Sequence, residues 1–110
     1  MIKVSKKILF VCTGNVDRSR TAEEMFKDSE GWEVRSAGTS IAATVRLTKP
    51  LIEWADRIFV MEDKHQIAVL KLSPESQQKV ECLHIPDIFY FNQPELKRLL
   101  AERLRHHFQR

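Results

Sequence analysis

The chain has 110 residues, of which 43% are hydrophobic and 30% charged, with a net charge of +3 at pH 7 and two cysteines. This balance predicts a single domain over residues 1–110 with a buried core, and it excludes a disordered chain and a disulfide-stabilised secreted domain. The apolar run near the start, I-L-F-V-C, is too short for a signal peptide or a membrane span, so we expect a cytoplasmic protein without a membrane partner.

The positive charge is concentrated near the C-terminal end. Residues 97–110 carry five basic side chains and one acidic side chain, whereas the first 96 residues carry 13 basic and 14 acidic ones. The basic residues are not interleaved with aromatic ones as in RNA-binding surfaces. We therefore expect this segment to be a solvated helix face, and we expect no nucleic-acid partner.

Four short apolar runs predict strands. The first, K-I-L-F-V-C at 7–12, is almost continuously apolar, which is typical of a parallel strand buried on both faces. The others are W-E-V-R-S at 32–36, R-I-F-V-M at 57–61 and K-V-E-C-L-H-I at 79–85. Helical patterns separate these runs, which predicts right-handed crossovers and a parallel sheet covered on both sides.

Four helices are predicted around these strands. The first begins between Val16 and Thr21, the second spans 49–55, and the third runs from 62 to about 72. Asn92 followed by Glu95 resembles a capping box, so we expect it to open a terminal helix. The inner face of that helix would carry Leu96, Leu99, Leu100, Leu104 and Phe108.

The loop after the first strand has the composition of an anion site. A helix N-terminus follows it, and the free N–H groups there favour a bound anion. Gly14 and Asn15 tolerate the left-handed backbone angles that let loop amides converge, and Arg18 adds a planar fork matched to phosphate oxygens. The same field favours a reactive thiolate at Cys12, and Ser19 is placed to donate a hydrogen bond to it. Because ligands bind beyond the carboxyl ends of parallel strands, Asp87, just past the fourth run, is also a candidate site residue.

The residues V-C-T-G-N-V-D-R-S-R-T-A-E at 11–23 resemble the signature of the low-molecular-weight protein tyrosine phosphatases, typically C-x-G-N-x-C-R-S-P-x-A-E. S-A-G-T at 36–39, A-D-R-I-F-V-M at 55–61 and P-D-I-F-Y at 86–90 resemble later segments of that family. The resemblance implies a phosphotyrosine protein phosphatase I-like fold: a three-layer α/β sandwich whose four-stranded parallel sheet has the order 2-1-3-4.

The resemblance also implies a phosphocysteine mechanism. Cys12 would attack phosphorus, Arg18 would hold its oxygens, and Asp87 would act as general acid and then as general base. The substrate would be a phosphorylated protein or a small aryl phosphate, inorganic phosphate would be the product, and neither metal nor organic cofactor is required. Phe89 and Tyr90 would line the substrate pocket. The phosphate-binding residues would be Thr13, Gly14, Asn15, Val16, Asp17, Arg18 and Ser19.

The sequence departs from the family pattern at three places. The segment between S-A-G-T and A-D-R-I-F is shorter, so one wall of the cleft is expected to be missing or rebuilt. Ile88 replaces a proline after the acid. Asp17 stands where the family has a second cysteine, and a carboxylate near Cys12 would disfavour the thiolate and weaken binding of a dianion. We therefore expect Asp17 to reduce activity unless Arg20, which replaces another proline, neutralises it.

Two other functions fit the same loop. One is a catalytically weak module that binds phosphate or phosphoproteins, which Asp17 and the shortened cleft favour. The other is a thiol-dependent arsenate reductase, although such enzymes relay a disulfide through further cysteines and this chain offers only Cys82. His65 and His84 have no second ligand at metal spacing in the sequence, so we expect packing or surface roles for them and no metal site.

Overall fold

The computed structural model describes residues 5–107. Four strands alternate with four α-helices along these residues. The strands are β1 (Lys6–Cys12), β2 (Trp32–Gly38), β3 (Arg57–Val60) and β4 (Val80–Cys82). The helices are α1 (Arg18–Phe26), α2 (Lys49–Trp54), α3 (Asp63–Leu72) and α4 (Pro94–Leu104), with short 3₁₀ helices at Pro74–Lys79 and Arg105–His107.

The strands form one parallel sheet in the order β2-β1-β3-β4, which confirms the predicted order. β1 lies inside the sheet and pairs along its whole length with β2, from Lys6 opposite Trp32 to Cys12 opposite Gly38. It is buried from Ile8 onward because both faces of the sheet are covered, as its continuous apolar run predicted. The carboxyl end of β1 therefore lies at the centre of the sheet edge where ligands bind.

Alternate residues of β1 belong to two separate cores. Ile8, Phe10 and Cys12 belong to the core that contains Ala22 of α1 and the buried leucines of α4. Leu9 and Val11 belong to the other core, which contains Ile52 of α2 and Val69 of α3. Because side chains alternate along a strand, this period-2 division places the Cys12 thiol on the face covered by α1 and α4.

The terminal helix begins differently from the prediction. It starts at Pro94 with Gln93 as N-cap and without a side-chain cap, so the predicted capping box of Asn92 and Glu95 is wrong. Proline is favoured at the first helical position because it lacks the N–H that would be left unpaired there. Asn92 instead has a left-handed φ of 61°, and its N–H donates to Thr21 Oγ1 at 2.8 Å. Leu96, Leu100 and Leu104 are buried as predicted, Leu99 packs against the same core, and Phe108 lies outside the described residues.

The fourth strand is shorter than predicted and ends at Cys82 rather than at residue 85. The regular strand stops because His84 adopts a left-handed φ of 56°. The N–H groups of Leu83 and Ile85 still donate to carbonyl oxygens of Val60 and Met61, both at 2.8 Å. The chain therefore follows β3 past the end of β4 and brings Asp87 to the carboxyl edge of the sheet.

Among residues 5–107, no helix is both long enough and apolar enough to cross a bilayer.

Candidate active site

The loop of residues 13–17 joins Cys12, the last residue of β1, to Arg18, the first residue of α1. Three successive carbonyl groups, from Cys12 at the end of β1 to Gly14 in the loop, point toward residues 39–44. Cys12 O accepts from Thr39 N at 2.9 Å, Thr13 O from Ser40 N at 2.9 Å, and Gly14 O from Thr44 N at 3.2 Å. The segment of residues 39–44 thus holds the loop from outside.

The amides of the same loop have no such partners. Within residues 5–107, the N–H groups of residues 14–17 donate no hydrogen bond to protein. With the carbonyls held on one side and the amides unpaired at a helix N-terminus, the loop has the chemistry of an anion-binding nest.

Gly38, at the end of β2, permits this close packing. A Cβ atom built on it would lie 2.5 Å from Thr13 O and 2.9 Å from Asn15 N, which no side chain can do without moving the loop. Its own N–H and C=O bond with Val45 and Leu47, both at 2.8 Å. The glycine in the S-A-G-T segment is therefore required by backbone approach, a signal that the sequence contains but that only the structure interprets.

Asn15 fixes the conformation of the loop. It is fully buried and has a φ of 56°, so the left-handed position expected of Gly14 or Asn15 is taken by Asn15, and Gly14 has no positive φ. Its Nδ2 donates to Ser19 Oγ at 2.8 Å and to Ser36 Oγ at 2.9 Å, while Oδ1 accepts from Val45 N at 3.1 Å. The side chain ties the loop to α1, β2 and the 39–48 segment.

Ser19 lies beside the thiol, as predicted. Its Oγ is 3.0 Å from Cys12 Sγ, and both residues are buried. Because the same oxygen accepts from Asn15 Nδ2, its own hydrogen is free to be donated to the sulfur. The Ser19 hydroxyl is therefore placed to stabilise negative charge on the sulfur.

Arg18 is 2% exposed, and one of its nitrogens is fully used by the protein. Nη1 donates to Glu62 Oε2 and, at 2.7 Å, to Ile85 O. In a planar guanidinium this leaves Nε and Nη2, which lie on the opposite edge, as a two-pronged donor. Glu62 was missed by sequence reasoning, and its hydrogen bond with Arg18 lowers the pKa of its carboxyl. Glu62 is therefore the counter-charge that orients the guanidinium.

A cavity of about 330 Å³ opens above the thiol. It is lined by Cys12, Thr13, Gly14, Val16, Asp17, Arg18 and Asp87. The Asp87 carboxylate is 63% exposed and its Oδ1 lies 3.7 Å from Arg18 Nε. The structure thus brings the predicted nucleophile, arginine and acid to one opening.

The side chains of Asp17 and Arg20, the two residues that depart from the family's loop pattern, do not form an ion pair with each other. Arg20 Nε lies 3.7 Å from Glu23 Oε1, and within the described part of the chain Asp17 forms neither an ion pair nor a side-chain hydrogen bond. The expected neutralisation of Asp17 by Arg20 is therefore absent here. The Asp17 carboxylate adds negative charge to the cavity wall.

The two predicted pocket aromatics differ in their surroundings. Phe89 is half-buried and packs against the core on the α4 side of the sheet. Tyr90 is 65% exposed. Neither is among the residues that line the cavity above Cys12.

His65 is a second residue that the sequence did not connect to the loop. It is fully buried on α3, its Nδ1 accepts from Glu62 N at 3.0 Å, and its Nε2 lies 2.8 Å from Thr13 Oγ1. Because Nδ1 is an acceptor, Nε2 carries the proton and donates to Thr13, so the Thr13 hydroxyl hydrogen is free for a ligand. Burial, together with the nearby Arg18 charge, lowers the pKa of His65 to about 4.

This buried neutral histidine predicts a loss of stability in mild acid. Between pH 6.5 and 4 the unfolded chain binds a proton that the folded chain does not, so the free energy of unfolding falls as pH falls through that window, by about 2–3 kcal/mol. His65→Gln keeps an acceptor for Glu62 N–H at the third helical position but does not titrate. Urea unfolding at pH 7.5 and 4.5 should show a smaller loss for His65→Gln than for wild type. Equal losses would mean that His65 is not held neutral in the folded state; the Glu62 contribution is common to both proteins and cancels.

Comparison with known proteins places this loop in a recognised context. The family model described as low molecular weight phosphotyrosine protein phosphatase matches residues 7–53. The chain is 31% identical over 101 residues to a protein-arginine-phosphatase of Geobacillus stearothermophilus, a match that covers 70% of this chain and 68% of that protein.

Solved structures share the whole fold. A YwlE mutant from Bacillus subtilis superposes with a TM-score of 0.74 at 27% identity, covering 96% of this chain and 100% of that one. The tyrosine phosphatase Wzb from Escherichia coli K30, solved in complex with phosphate, gives a TM-score of 0.77 at 22% identity, covering 94% and 96%. The second likeness supports the architecture alone.

Proposed function

Because this chain belongs to the low-molecular-weight phosphotyrosine protein phosphatase family, and is therefore a phosphatase, we propose that it hydrolyses protein phosphotyrosine or another aryl phosphate through a phosphocysteine on Cys12. The observation that carries this proposal is the set of amides of residues 14–17, which donate no hydrogen bond within residues 5–107, beside the cavity lined by Cys12 and together with the Nε–Nη2 edge of Arg18. The amides and the guanidinium supply donors around one point, as a tetrahedral dianion requires.

The first chemical step forms the phosphocysteine. The Cys12 thiolate attacks phosphorus in line, the bond from phosphorus to the leaving oxygen breaks, and Asp87 donates a proton to that oxygen. The loop amides and the Nε and Nη2 atoms of Arg18 hold the three equatorial oxygens as their charge is redistributed. The hydrogen bond from Ser19 stabilises sulfur as an anion before attack and as a leaving group afterwards.

The second step releases phosphate. Asp87, now ionised, takes a proton from a water molecule, the water oxygen bonds to phosphorus, and the phosphorus–sulfur bond breaks. Inorganic phosphate leaves and the thiolate is restored. The exposure of Asp87 at the mouth of the cavity supports this role, since water can reach it without any movement of the loop.

Asp87→Asn tests the proposed acid. We expect kcat/KM for phosphotyrosine, which reports the step in which the phenol leaves, to fall by about 10²-fold or more, because its phenolate is a poor leaving group that needs a proton. The loss for p-nitrophenyl phosphate should be smaller, because nitrophenolate leaves readily without one. The measurement is kcat/KM for a series of aryl phosphates, plotted against the pKa of the leaving phenol, for wild type and variant.

The matched control is Asp28→Asn, which changes an exposed carboxylate just after α1. It should keep kcat/KM for every substrate within about twofold, since surface substitutions away from a site have small effects. An Asp87→Asn enzyme with the same dependence on leaving group as wild type would contradict the assignment of Asp87 as the acid.

Phosphoarginine is a second candidate substrate, favoured by the acidic wall of the cavity. Asp17 and Asp87 both line it, and a protonated guanidino leaving group would be attracted to two carboxylates, whereas a phenol would not. The curated relative at 31% identity is named a protein-arginine-phosphatase, which supports the same substrate. The ratio of kcat/KM for phosphoarginine to that for phosphotyrosine discriminates the two classes.

Thiol-dependent reduction has less support. On β3, Val60 pairs with Val11 of β1 on one side and with Cys82 of β4 on the other. Two strand spacings, about 10 Å, therefore separate Val11 from Cys82. Cys12 follows Val11, and a disulfide needs Cα atoms within about 7 Å. A direct bond between the two cysteines would require movement of the backbone, so we propose hydrolysis rather than a disulfide relay.

A further inference from the structure

Three metal-ligating side chains converge at the end of β4, outside the phosphate loop. They are Asp63 from the first turn of α3, Cys82 at the end of β4, and His84 two residues later, and their ligand atoms all lie within 4.8 Å of one another. The sequence suggested no second ligand for His84. The structure provides two, Asp63 and Cys82. His84 has a left-handed φ of 56°, and its Nδ1 lies 3.6 Å from Cys82 Sγ.

These spacings fit tetrahedral zinc. With Zn–S near 2.3 Å and Zn–N near 2.05 Å, a tetrahedral angle places the sulfur and nitrogen about 3.6 Å apart. The observed separation of Sγ and Nδ1 already has this value. Since the ligand atom of the exposed Asp63 lies within 4.8 Å of the other two, it must approach by at most about 1 Å to complete a third edge of similar length.

We propose that Asp63, Cys82 and His84 bind one Zn²⁺ ion, with solvent as the fourth ligand. Thiolate, imidazole and carboxylate are the donors that zinc takes in proteins, and the mixture of soft and borderline donors disfavours Mg²⁺ and Ca²⁺. A cavity of about 360 Å³, lined in part by Asp63 and His84, gives a metal ion and its water access to the site.

The ion would replace the thiol proton. Zinc coordinates the thiolate form of cysteine, so the proton displaced from Cys82 would pass to solvent. Lys64 lines the same cavity, and its positive charge opposes binding.

A second cluster, Glu81 with His106 and His107, is less suitable for zinc. Its carboxylate already accepts from Arg57 Nη2 at 3.1 Å, so its charge is balanced by protein. It also lacks a thiol. This second cluster therefore provides the internal control for metal binding at the first.

The zinc site would adjoin both groups that hold Arg18. Asp63 follows Glu62, and His84 precedes Ile85, whose carbonyl accepts from the same nitrogen of Arg18. A bound ion would bridge the start of α3 and the end of β4, so these two Arg18 partners would be fixed relative to each other. The site does not depend on the proposed catalytic role of Cys12 and can be tested without it.

Cobalt is the probe, because a tetrahedral Co²⁺–thiolate site absorbs in the near ultraviolet and zinc displaces it. The protein is Cys12→Ser, in which Cys82 is the single remaining thiol of the chain. We expect the charge-transfer band to saturate at one Co²⁺ per chain and to disappear when one Zn²⁺ is added. In the same background Cys82→Ser should abolish the band, and His84→Ala or Asp63→Asn should weaken cobalt binding at least about tenfold.

Glu81→Gln in that background is the matched control and should leave the cobalt titration unchanged. Three results would overturn the proposal: no thiolate band in the presence of excess Co²⁺, a band that His84→Ala and Asp63→Asn both leave unaltered, or binding that Glu81→Gln removes. Far-ultraviolet circular dichroism of each variant establishes that it is folded, so that a lost band reports a lost ligand.

Discussion

Replacing Cys12 with serine is expected to lower kcat for p-nitrophenyl phosphate by about 10⁴-fold or more. A serine hydroxyl is a far weaker acid and a poorer nucleophile than a thiol, and Ser19, whose Oγ lies 3.0 Å from the sulfur, is no general base. Binding of inorganic phosphate should persist, because its donors are the amides of residues 14–17 and Arg18. Steady-state kinetics and calorimetric titration with phosphate measure the two effects separately.

The control for this substitution is Cys82→Ser, assayed in chelator-treated buffer, which removes the other thiol and leaves the loop intact. It should retain kcat within about twofold. Wild-type protein that binds phosphate but releases no product between pH 5 and 8 would instead make the chain a phosphate-binding module. Equal turnover by wild type and Cys12→Ser would exclude Cys12 as the nucleophile.

Replacing Arg18 with lysine is expected to lower kcat/KM by about 10³-fold, although the charge is conserved. The guanidinium holds Glu62 and the Ile85 carbonyl with Nη1, which leaves Nε, 3.7 Å from Asp87 Oδ1, and Nη2 for the phosphate. A single ammonium group cannot do both. It either remains with Glu62 and leaves the phosphate oxygens without their fork, or turns to the phosphate and leaves Glu62 without its counter-charge.

Arg20→Lys is the matched control, two residues along α1, where the native side chain is partly exposed and lies 3.7 Å from Glu23. It should change kcat/KM by no more than about twofold. The measurements are kcat/KM and the affinity for phosphate in both variants. An Arg18→Lys enzyme within about threefold of wild type would show that the planar fork is not what holds the substrate.

Local patterns were sufficient to predict the sheet. The apolar run of β1 and the alternation in β2 are properties of the residues themselves, since a strand buried on two faces can tolerate few polar side chains. The loop of residues 13–17, Arg18 and helix α1 come directly after β1 in the sequence, so they lie at the carboxyl end of that strand. Cys12, Asn15, Arg18 and Ser19 could therefore be assigned to one site from their order along the chain.

The end of β4 and the start of α4 were less predictable. The run K-V-E-C-L-H-I reads as one strand, but a left-handed residue at His84 interrupts it. Asparagine is a common N-cap residue, yet the N–H of Asn92 donates to Thr21 Oγ1 and the helix begins at Pro94. Both outcomes depend on contacts with distant elements, which local sequence preference does not contain.

The sequence by itself predicted the four strands and the composition of the anion loop, because each depends on residues within one short segment. The order of the strands followed from the family resemblance, and Cys12 as the nucleophile stays a prediction. The tertiary structure alone decided that Glu62 and Ile85 hold Arg18, that His65 holds Thr13, and that Cys82, His84 and Asp63 meet. These residues come from different elements, up to 67 positions apart in the chain for Arg18 and Ile85. They become neighbours because the parallel crossovers bring the carboxyl ends of β1, β3 and β4 to one edge of the sheet.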